Sequence, residues 1–258
     1  MSTSESFARL LDEAAGHATA TAQIDPHGAL TLADAYDIQR LSIARRLSRG
    51  ERRVGVKMGF TSRAKMLQMG LSDVIWGRLT DAMHIAEDSQ IDLARFVRPR
   101  VEPELAFLLR SPLEADATPA QALAAIEAVA PALEIIDSRY RDFTFTLPEV
   151  IADNASSSGF VVGPWRRAGD VDYANLGLVL AFDGRPIHVG STAALLGHPL
   201  RALMAAARLS GASGEPLQAG WIVMAGGATA AEWLRPDCHV TVDMQTLGSA
   251  GFRTAPRA

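Results

Sequence analysis

Two carboxylates stand one residue apart inside an apolar run. In RVEPELAFLL, residues 100 to 109, Glu102 and Glu104 lie among Val101, Leu105, Ala106, Phe107, Leu108 and Leu109. Such a run reads as a strand, and in a strand residues i and i+2 point to the same face. The two acids therefore project side by side. Adjacent carboxylates repel, and burying either without a partner is costly. A shared proton, a clamp from Arg or Lys, or a metal ion would each relieve this. An exposed pair on a solvent face would need none of them. If the answer is a metal, hard oxygen ligands suit Mg²⁺ or Mn²⁺. Pro103, between the acids, has no N–H for a sheet ladder, which predicts an edge or barrel-rim strand.

Other residues could join this chemistry. PALEIIDSRY (131 to 140) sets Glu134 among Ala132, Leu133, Ile135 and Ile136. With Glu102 and Glu104 it would make a three-carboxylate site with positions left for water or substrate; alone it could pair with an Arg. VGVKMGF (54 to 60) places Lys57 in a second apolar strand. A lysine there either snorkels outward or is held near buried acids. Beside a metal its ammonium could orient an anionic substrate or trade a proton. GGAT (226 to 229) leaves backbone open to close approach and presents the Thr229 hydroxyl, or is a plain turn. ADNASSSG (152 to 159), which contains Ser157, is a run of donors and acceptors of the kind that caps turns. Ser138 and Arg139 continue the Glu134 strand, where Arg139 could grip a carboxylate bidentately or form a surface ion pair. His84, His188, His198 and His239 are scattered with no HxxxH, and there is no P-loop, GxSxG or GxGxxG.

These residues need elements to carry them. Residues 4 to 50 read as helices: Ser4 can cap the first, with Glu5 in its first turn, and TLADAYDIQRLSIARRLSRG ends in basic residues and Gly50. From residue 53 the texture becomes strand-like. RVGVKMGF, RVEPELAFLLR, PALEIIDSRY, GWIVMAGGAT and CHVTVDMQTLGSAGFRT read as strands, and LGLVLAFDGRPIHVGST as a hairpin turned at Asp183-Gly184. SRAKMLQMGL, TPAQALAAIEAVA (capped by Thr118 with Pro119 first), the start of LPEVIADNASSSGFVVGP and HPLRALMAAARLSGA read as helices. The irregular β-to-α order favours α+β over a doubly wound sheet. The expected organisation is a helical N-terminal region, 1–52, and a β-rich catalytic domain, 53–258.

Composition excludes several classes. The chain has 258 residues, a net charge of −4 and 48% hydrophobic residues, enough for a sizeable core and too acidic for a nucleic-acid binder. RRLSRGERR (45 to 53) reads as a solvated helix end and loop. A single cysteine, Cys238, allows no internal disulfide and reads as a small core residue, which fits a reducing compartment. The N-terminus lacks the apolar core of a signal peptide, and no run approaches the roughly 20 apolar residues of a membrane span. A soluble, cytoplasmic protein is expected.

Taken together, VGVKMGFTSRAKMLQMGL, VEPELAF, LEIIDSRYRDFTFTLPEVIADNASS and LLGHPLRAL…MAGGATAA resemble the hydratase/decarboxylase branch of the fumarylacetoacetate hydrolase superfamily, from about residue 30 to the C-terminus. The resemblance implies mixed β-sheets rolled into a distorted barrel, a helical N-terminal region, a homo-oligomer, and Mg²⁺ or Mn²⁺ on Glu102, Glu104 and Glu134, with Lys57 as the active-site lysine. Members act on small 2-oxo acids in meta-cleavage breakdown of aromatic compounds. Some hydrate 2-hydroxypenta-2,4-dienoate; others decarboxylate 4-oxalocrotonate to make it, and the two kinds are thought to associate. KMGFTSRAKMLQMG, Tyr140 and Phe143 in IDSRYRDFTF, and GGATAA resemble the decarboxylases; DVIWG (73 to 77) departs from them at Val74 and Trp76, in a loop that could line the pocket. The expected roles are Lys57, Ser138 and Arg139 at the reacting centre and Ser157 and Thr229 in substrate binding. Hydrolysis of an acylpyruvate carbon–carbon bond would require a His/Glu dyad near the start of the domain, where no suitable His stands. A non-catalytic scaffold would be expected to lose one of the four charged residues that this chain keeps.

Overall fold

The computed structural model describes residues 2–62, 66 and 73–256. Two helices come first, α1 (Thr3–Gly16) and α2 (Leu32–Ser48), each opened by a capping box, Ser2 with Glu5 and Thr31 with Asp34. In such a box side chain and backbone satisfy each other's unpaired groups. The cap of α1 is therefore Ser2, not Ser4. Strands follow: β1 (Arg53–Gly59), β2 (Ile75–Thr80), β3 (Gln90–Ile91), β4 (Arg100–Leu109), β5 (Ile126–Ile136), β6 (Ser157–Val162), β7 (Arg166–Arg167), β8 (Gly177–Phe182), β9 (Arg185–Ser191), β10 (Ile222–Met224), β11 (Glu232–Trp233), β12 (His239–Met244) and β13 (Gly248–Thr254). Between them lie α3 (Pro119–Ala125), α4 (Leu147–Ala152) and α5 (Pro199–Ala212). The helix expected over 62–71 falls largely outside the described residues.

One sheet runs β2-β1-β10-β4-β5-β6, with β11 also on β4 and β7 also on β5; a second runs β3-β13-β12-β8-β9. The β1–β10 and β13–β3 pairs are parallel, and β4–β5 is antiparallel. This is the expected α+β architecture, its mixed sheets curled into an incomplete barrel. Odd-numbered residues of β4 and β5, among them Leu105, Phe107, Val129 and Leu133, pack with Leu180, Val240, Val242 and Phe252 of the second sheet in one core. Full burial of each such side chain contributes about 1.5–3 kcal/mol. Even-numbered residues face the other way. Ala106, Ala130 and Ala132 pack there with Met224 and Phe160, and Glu102, Glu104 and Glu134 share their parity. The two strands that carry the acids thus have core on one face, and on the other the acids extend a second apolar cluster.

Four expectations are corrected. β4 is interior, with β5 on one side and β10 and β11 on the other, so Pro103 does not mark an edge. The helix over TPAQALAAIEAVA stops at Ala125, and β5 begins at Ile126. Alanine's helix propensity is a weak prior, overridden here by pairing of Val129 and Ala130 with Phe107 and Ala106. GWIVMAGGAT is extended only over Ile222–Met224, and CHVTVDMQTLGSAGFRT is two strands, β12 and β13.

Gln39 of α2 donates to the Trp76 carbonyl (3.2 Å) and the Ile151 carbonyl (2.7 Å). Ile38, Leu11 and Ala8 meet Ile75, Tyr140 and Val150 in a second apolar cluster. Cys238 is a buried member of the main core. No helix among the described residues is long and apolar enough to cross a membrane.

Candidate metal centre

β4 and β5 pair with Glu102 opposite Glu134. Glu104 follows on the same face. One carboxylate oxygen from each of the three lies within 4.8 Å of the others. Lys57 of β1 brings its Nζ to 3.1 Å from Glu134 Oε2. It arrives because β10 bridges the two strands: Lys57 is in register with Met224, and Met224 with Ala106.

β10 ends at Met224, and the turn after it takes its place along β4. The Ala225 N–H donates to the Leu105 carbonyl and the Ala228 N–H to the Pro103 carbonyl, each at 3.0 Å. In an antiparallel strand a residue's N–H and C=O point to the same side. The N–H that Pro103 lacks would therefore face this turn, where the ladder is already broken, and an interior strand tolerates the proline. Gly226, at φ +101°, donates its N–H to Glu104 Oε2 at 2.8 Å. A Cβ on Gly226 would sit 2.1 Å from Thr61 Oγ1, and one on Gly227 would sit 2.7 Å from the carboxyl carbon of Glu102. The two glycines let backbone close over the acids, as the close-approach reading of GGAT expects.

Glu104 and Glu134 are completely buried, and Lys57 is 3% exposed. Oε1 of Glu104 and Oε1 of Glu134 have no hydrogen-bond partner among the described residues. Burial pushes the Glu104 carboxyl well above the usual carboxylate range, and the charges of Glu134 and Glu102 push it further against Lys57 and the Gly226 N–H. Burial also raises Glu134, opposed by Lys57 and by the Ser157 hydroxyl. Three carboxylates and one ammonium leave two negative charges, which one divalent cation neutralises. The two unpartnered oxygens and the all-oxygen donor set fit such an ion.

The raised carboxyls set a pH dependence. Protons are held more tightly in the folded state than in the unfolded chain, so the metal-free protein is expected to lose stability as pH rises from the ordinary carboxylate range through the raised one. A cation needs the same groups ionised, so metal affinity is expected to climb across that window. Urea unfolding between about pH 4 and pH 8, with and without Mg²⁺, reads both slopes. Identical slopes would exclude these carboxyls as ligands.

A cavity of roughly 660 Å³ reaches Lys57 and Glu102. Phe60, Ile75, Phe143, Phe145 and Val150 give it apolar walls, and Thr61 and Ser156 add hydroxyls. Both hydroxyl oxygens are buried without a hydrogen-bond partner among the described residues. The sequence reading did not select either residue, although Ser156 lies in its polar run. Asn154, Ala155 and Ser156 adopt left-handed φ of 51°, 50° and 61°, a conformation that costs on the order of 1 kcal/mol or more per non-glycine residue. The Asn154 side chain holds it, accepting from the Arg78 N–H (2.7 Å) and donating to the Arg78 carbonyl (2.9 Å).

The remaining expected residues disperse. Ser157 is buried beside Glu134, with no hydrogen bond of ordinary length from its hydroxyl. The buried Ser138 Oγ accepts from the Tyr140 N–H at 3.2 Å. Arg139 is not brought to the acids: its guanidinium is ion-paired to Asp153 and donates to Ser158 Oγ, and it lines a separate cavity with Asp12 and Arg46. The Thr229 hydroxyl donates to the Ala230 carbonyl at 3.0 Å, while Gly227, Ala230 and Ala231 form the adjoining wall of the cavity. Trp76 is buried between Tyr36 and the Arg78 guanidinium, so its strand lines the cavity through Ile75 instead.

Known proteins resemble between four-fifths and nearly all of the chain. A 4-oxalocrotonate decarboxylase from a Pseudomonas species is 59% identical over 248 residues, 96% of each chain. A 2-keto-4-pentenoate hydratase from Paraburkholderia xenovorans is 36% identical over 214 residues, 80% of this chain and 79% of that one. The solved 4-oxalocrotonate decarboxylase from Pseudomonas putida G7, complexed with magnesium and adipate, is 36% identical and superposes with a TM-score of 0.94 over 97% of both chains. A fumarylacetoacetate hydrolase from Exiguobacterium antarcticum, 17% identical, shares the fold with a TM-score of 0.65 over 80% of this chain and 76% of that one. No protein-family model matches this chain.

Proposed function

The chain belongs to the decarboxylase and hydratase branch of the fumarylacetoacetate hydrolase superfamily, and on that premise we propose that it converts 4-oxalocrotonate (2-oxohex-3-enedioate) to 2-hydroxypenta-2,4-dienoate and CO₂ in a metal-dependent reaction. One observation carries the reading: three glutamates with two unpartnered buried oxygens converge beside a cavity, in a chain 59% identical to a decarboxylase of that substrate.

Glu102, Glu104 and Glu134 would hold Mg²⁺ or Mn²⁺; the P. putida G7 relative holds magnesium together with adipate, a six-carbon diacid. When bound, the ion supplies a Lewis acid for charge growing on the substrate's 2-oxo oxygen. In the reaction the distal carbon–carbon bond breaks, its electron pair runs through the enone to that oxygen, and CO₂ leaves. Lys57 is already fixed against Glu134 at 3.1 Å, so its ammonium meets the new charge without reorganising. It can also carry a proton to or from the dienolate. Phe60, Ile75, Phe143 and Val150 give the cavity apolar walls beside its charged and hydroxyl groups, and those walls limit water at the bond that breaks. The Thr61 and Ser156 hydroxyls offer uncommitted donors to the substrate's oxygens. Ser157, expected in substrate binding, stands buried beside Glu134. Since the dienol product is unstable, the reading includes handover to a hydratase in a complex, by a homo-oligomer working in the cytoplasm.

The 36% identical hydratases keep a second reading in view, addition of water to 2-hydroxypenta-2,4-dienoate at the same centre. One experiment separates the two. The Mg²⁺-loaded protein is expected to release CO₂ from 2-oxohex-3-enedioate, to stop on chelation and to recover with Mg²⁺ or Mn²⁺. No CO₂, with consumption of 2-hydroxypenta-2,4-dienoate instead, would establish the hydratase.

A further inference from the structure

Arg100 is a cation in the cavity that no step above uses. It opens β4, so it shares a face with Glu102 and Glu104, two and four residues on. It lines the cavity with Glu102 and Lys57. At about 3.3 Å per residue its backbone lies about 7 Å along the strand from Glu102, a separation that a six-carbon chain can bridge.

Its surroundings orient the guanidinium, and the carboxylates of Glu102 and Glu232 act on it through space without an ion pair among the described residues. The group stacks 3.6 Å from the centre of the Trp233 ring and 4.5 Å from that of Phe143. Trp233 is its cross-strand neighbour on β11, and Phe143 is turned in by a left-handed backbone at φ 58°. The two rings meet edge to face, 5.7 Å between centroids. Among the described residues Arg100 makes no salt bridge, and its buried Nε has no hydrogen-bond partner. Asp142, the other acid on this part of the wall, is paired with Arg98 at 3.9 Å. Stacking fixes the plane of a guanidinium and leaves its edge free for a carboxylate held by two parallel hydrogen bonds.

We propose that Arg100 binds the distal carboxylate of the substrate and thereby sets a preference for a 2-oxo diacid over a 2-oxo monoacid. The proposal rests on the reading of this cavity as a 2-oxo acid site. The distal carboxylate loses its charge as CO₂ forms, so this ion pair is no stronger in the transition state than in the bound substrate. Arg100 therefore governs KM and the choice of diacid rather than the bond-breaking step.

The test is calorimetric titration of the Mg²⁺-loaded protein with 2-oxohexanedioate and with 2-oxohexanoate, which lacks the distal carboxylate. The native protein is expected to favour the diacid. Arg100→Met is expected to weaken diacid binding about 10- to 100-fold and to leave the monoacid unchanged, and Arg100→Lys to recover part of the loss. If Arg100→Met does not fold, judged by near-ultraviolet circular dichroism, Arg100→Gln replaces it. Equal weakening of both acids would place Arg100 at the other end of the substrate and overturn the proposal, as would an unchanged diacid preference. Titration needs no turnover. A native protein that binds the diacid through Arg100 yet releases no CO₂ would sink the decarboxylase and leave Arg100 standing; CO₂ release with an unchanged preference in Arg100→Met would do the reverse.

Discussion

Glu104→Gln is expected to lower kcat/KM by on the order of a thousandfold or more at saturating Mg²⁺ while the fold survives. Gln keeps the shape and leaves an oxygen for the Gly226 N–H, which donates to Glu104 Oε2 in the native protein. It removes the charge and one of the two buried oxygens that lack a partner. The metal-free variant is expected to be as stable as the native chain or more so. Ionising Glu104 is uphill in the folded state, since burial and the neighbouring charges of Glu134 and Glu102 all hold its proton on, and Gln takes that liability away. Stabilisation by the metal is what disappears. A native protein with Mg²⁺ at a hundred times its dissociation constant gains about 2.7 kcal/mol against unfolding. Thermal melts with and without Mg²⁺ read this directly. A variant whose midpoint still rises with Mg²⁺, or whose turnover is intact, would remove Glu104 from the ligand set.

What the sequence discloses about this centre follows from what parity can disclose. Glu102 and Glu104 share a face because any strand alternates, and RVEPELAFLL is a strand. Glu134 and Lys57 could be suspected for the same reason, each as a charge inside an apolar run. Spacing leaves their convergence one option among several, and the family resemblance is what selects it, because it depends on β10 lying between β1 and β4 and on the register that sets Glu102 against Glu134. Pro103 misled because the rule for proline concerns a missing N–H, and the gap it faces is made by a turn more than a hundred residues away in the chain. IEAVA looked helical because alanine propensity is local, while the pairing that makes it a strand is not. Arg139 is expected at the reacting centre, yet the fold offers it Asp153, a buried acid fourteen residues on. Thr61, Ser156 and Arg100 went unselected for a common reason. Their value lies in what surrounds them, which is three left-handed residues, a glycine turn and two aromatic rings, and no spacing rule encodes those.

Lys57→Met is expected to separate metal binding from turnover. Met fills much the same volume, and the site of Lys57 is buried, so the wall of the cavity is retained. The ammonium lowers the carboxyls of both Glu104 and Glu134. Without it both rise further, and protons compete with the ion more strongly in the acid range. At about pH 8, where that competition is relieved, Mg²⁺ affinity is expected to be unchanged or tighter, since the charge that repels a cation is gone. At about pH 6 it is expected to fall below that of the native protein. Turnover is expected to fall about 10²- to 10⁴-fold at either pH, because the 2-oxo oxygen loses a donor that was already in place. Calorimetric titration with Mg²⁺ at the two pH values, beside kcat at saturating metal, resolves these effects. If affinity and kcat fell in the same proportion at about pH 8, Lys57 would be a prop for the carboxylates and not a participant. If kcat were unchanged, the charge on the departing electron pair would have to be met by the metal and the wall hydroxyls of Thr61 and Ser156 alone.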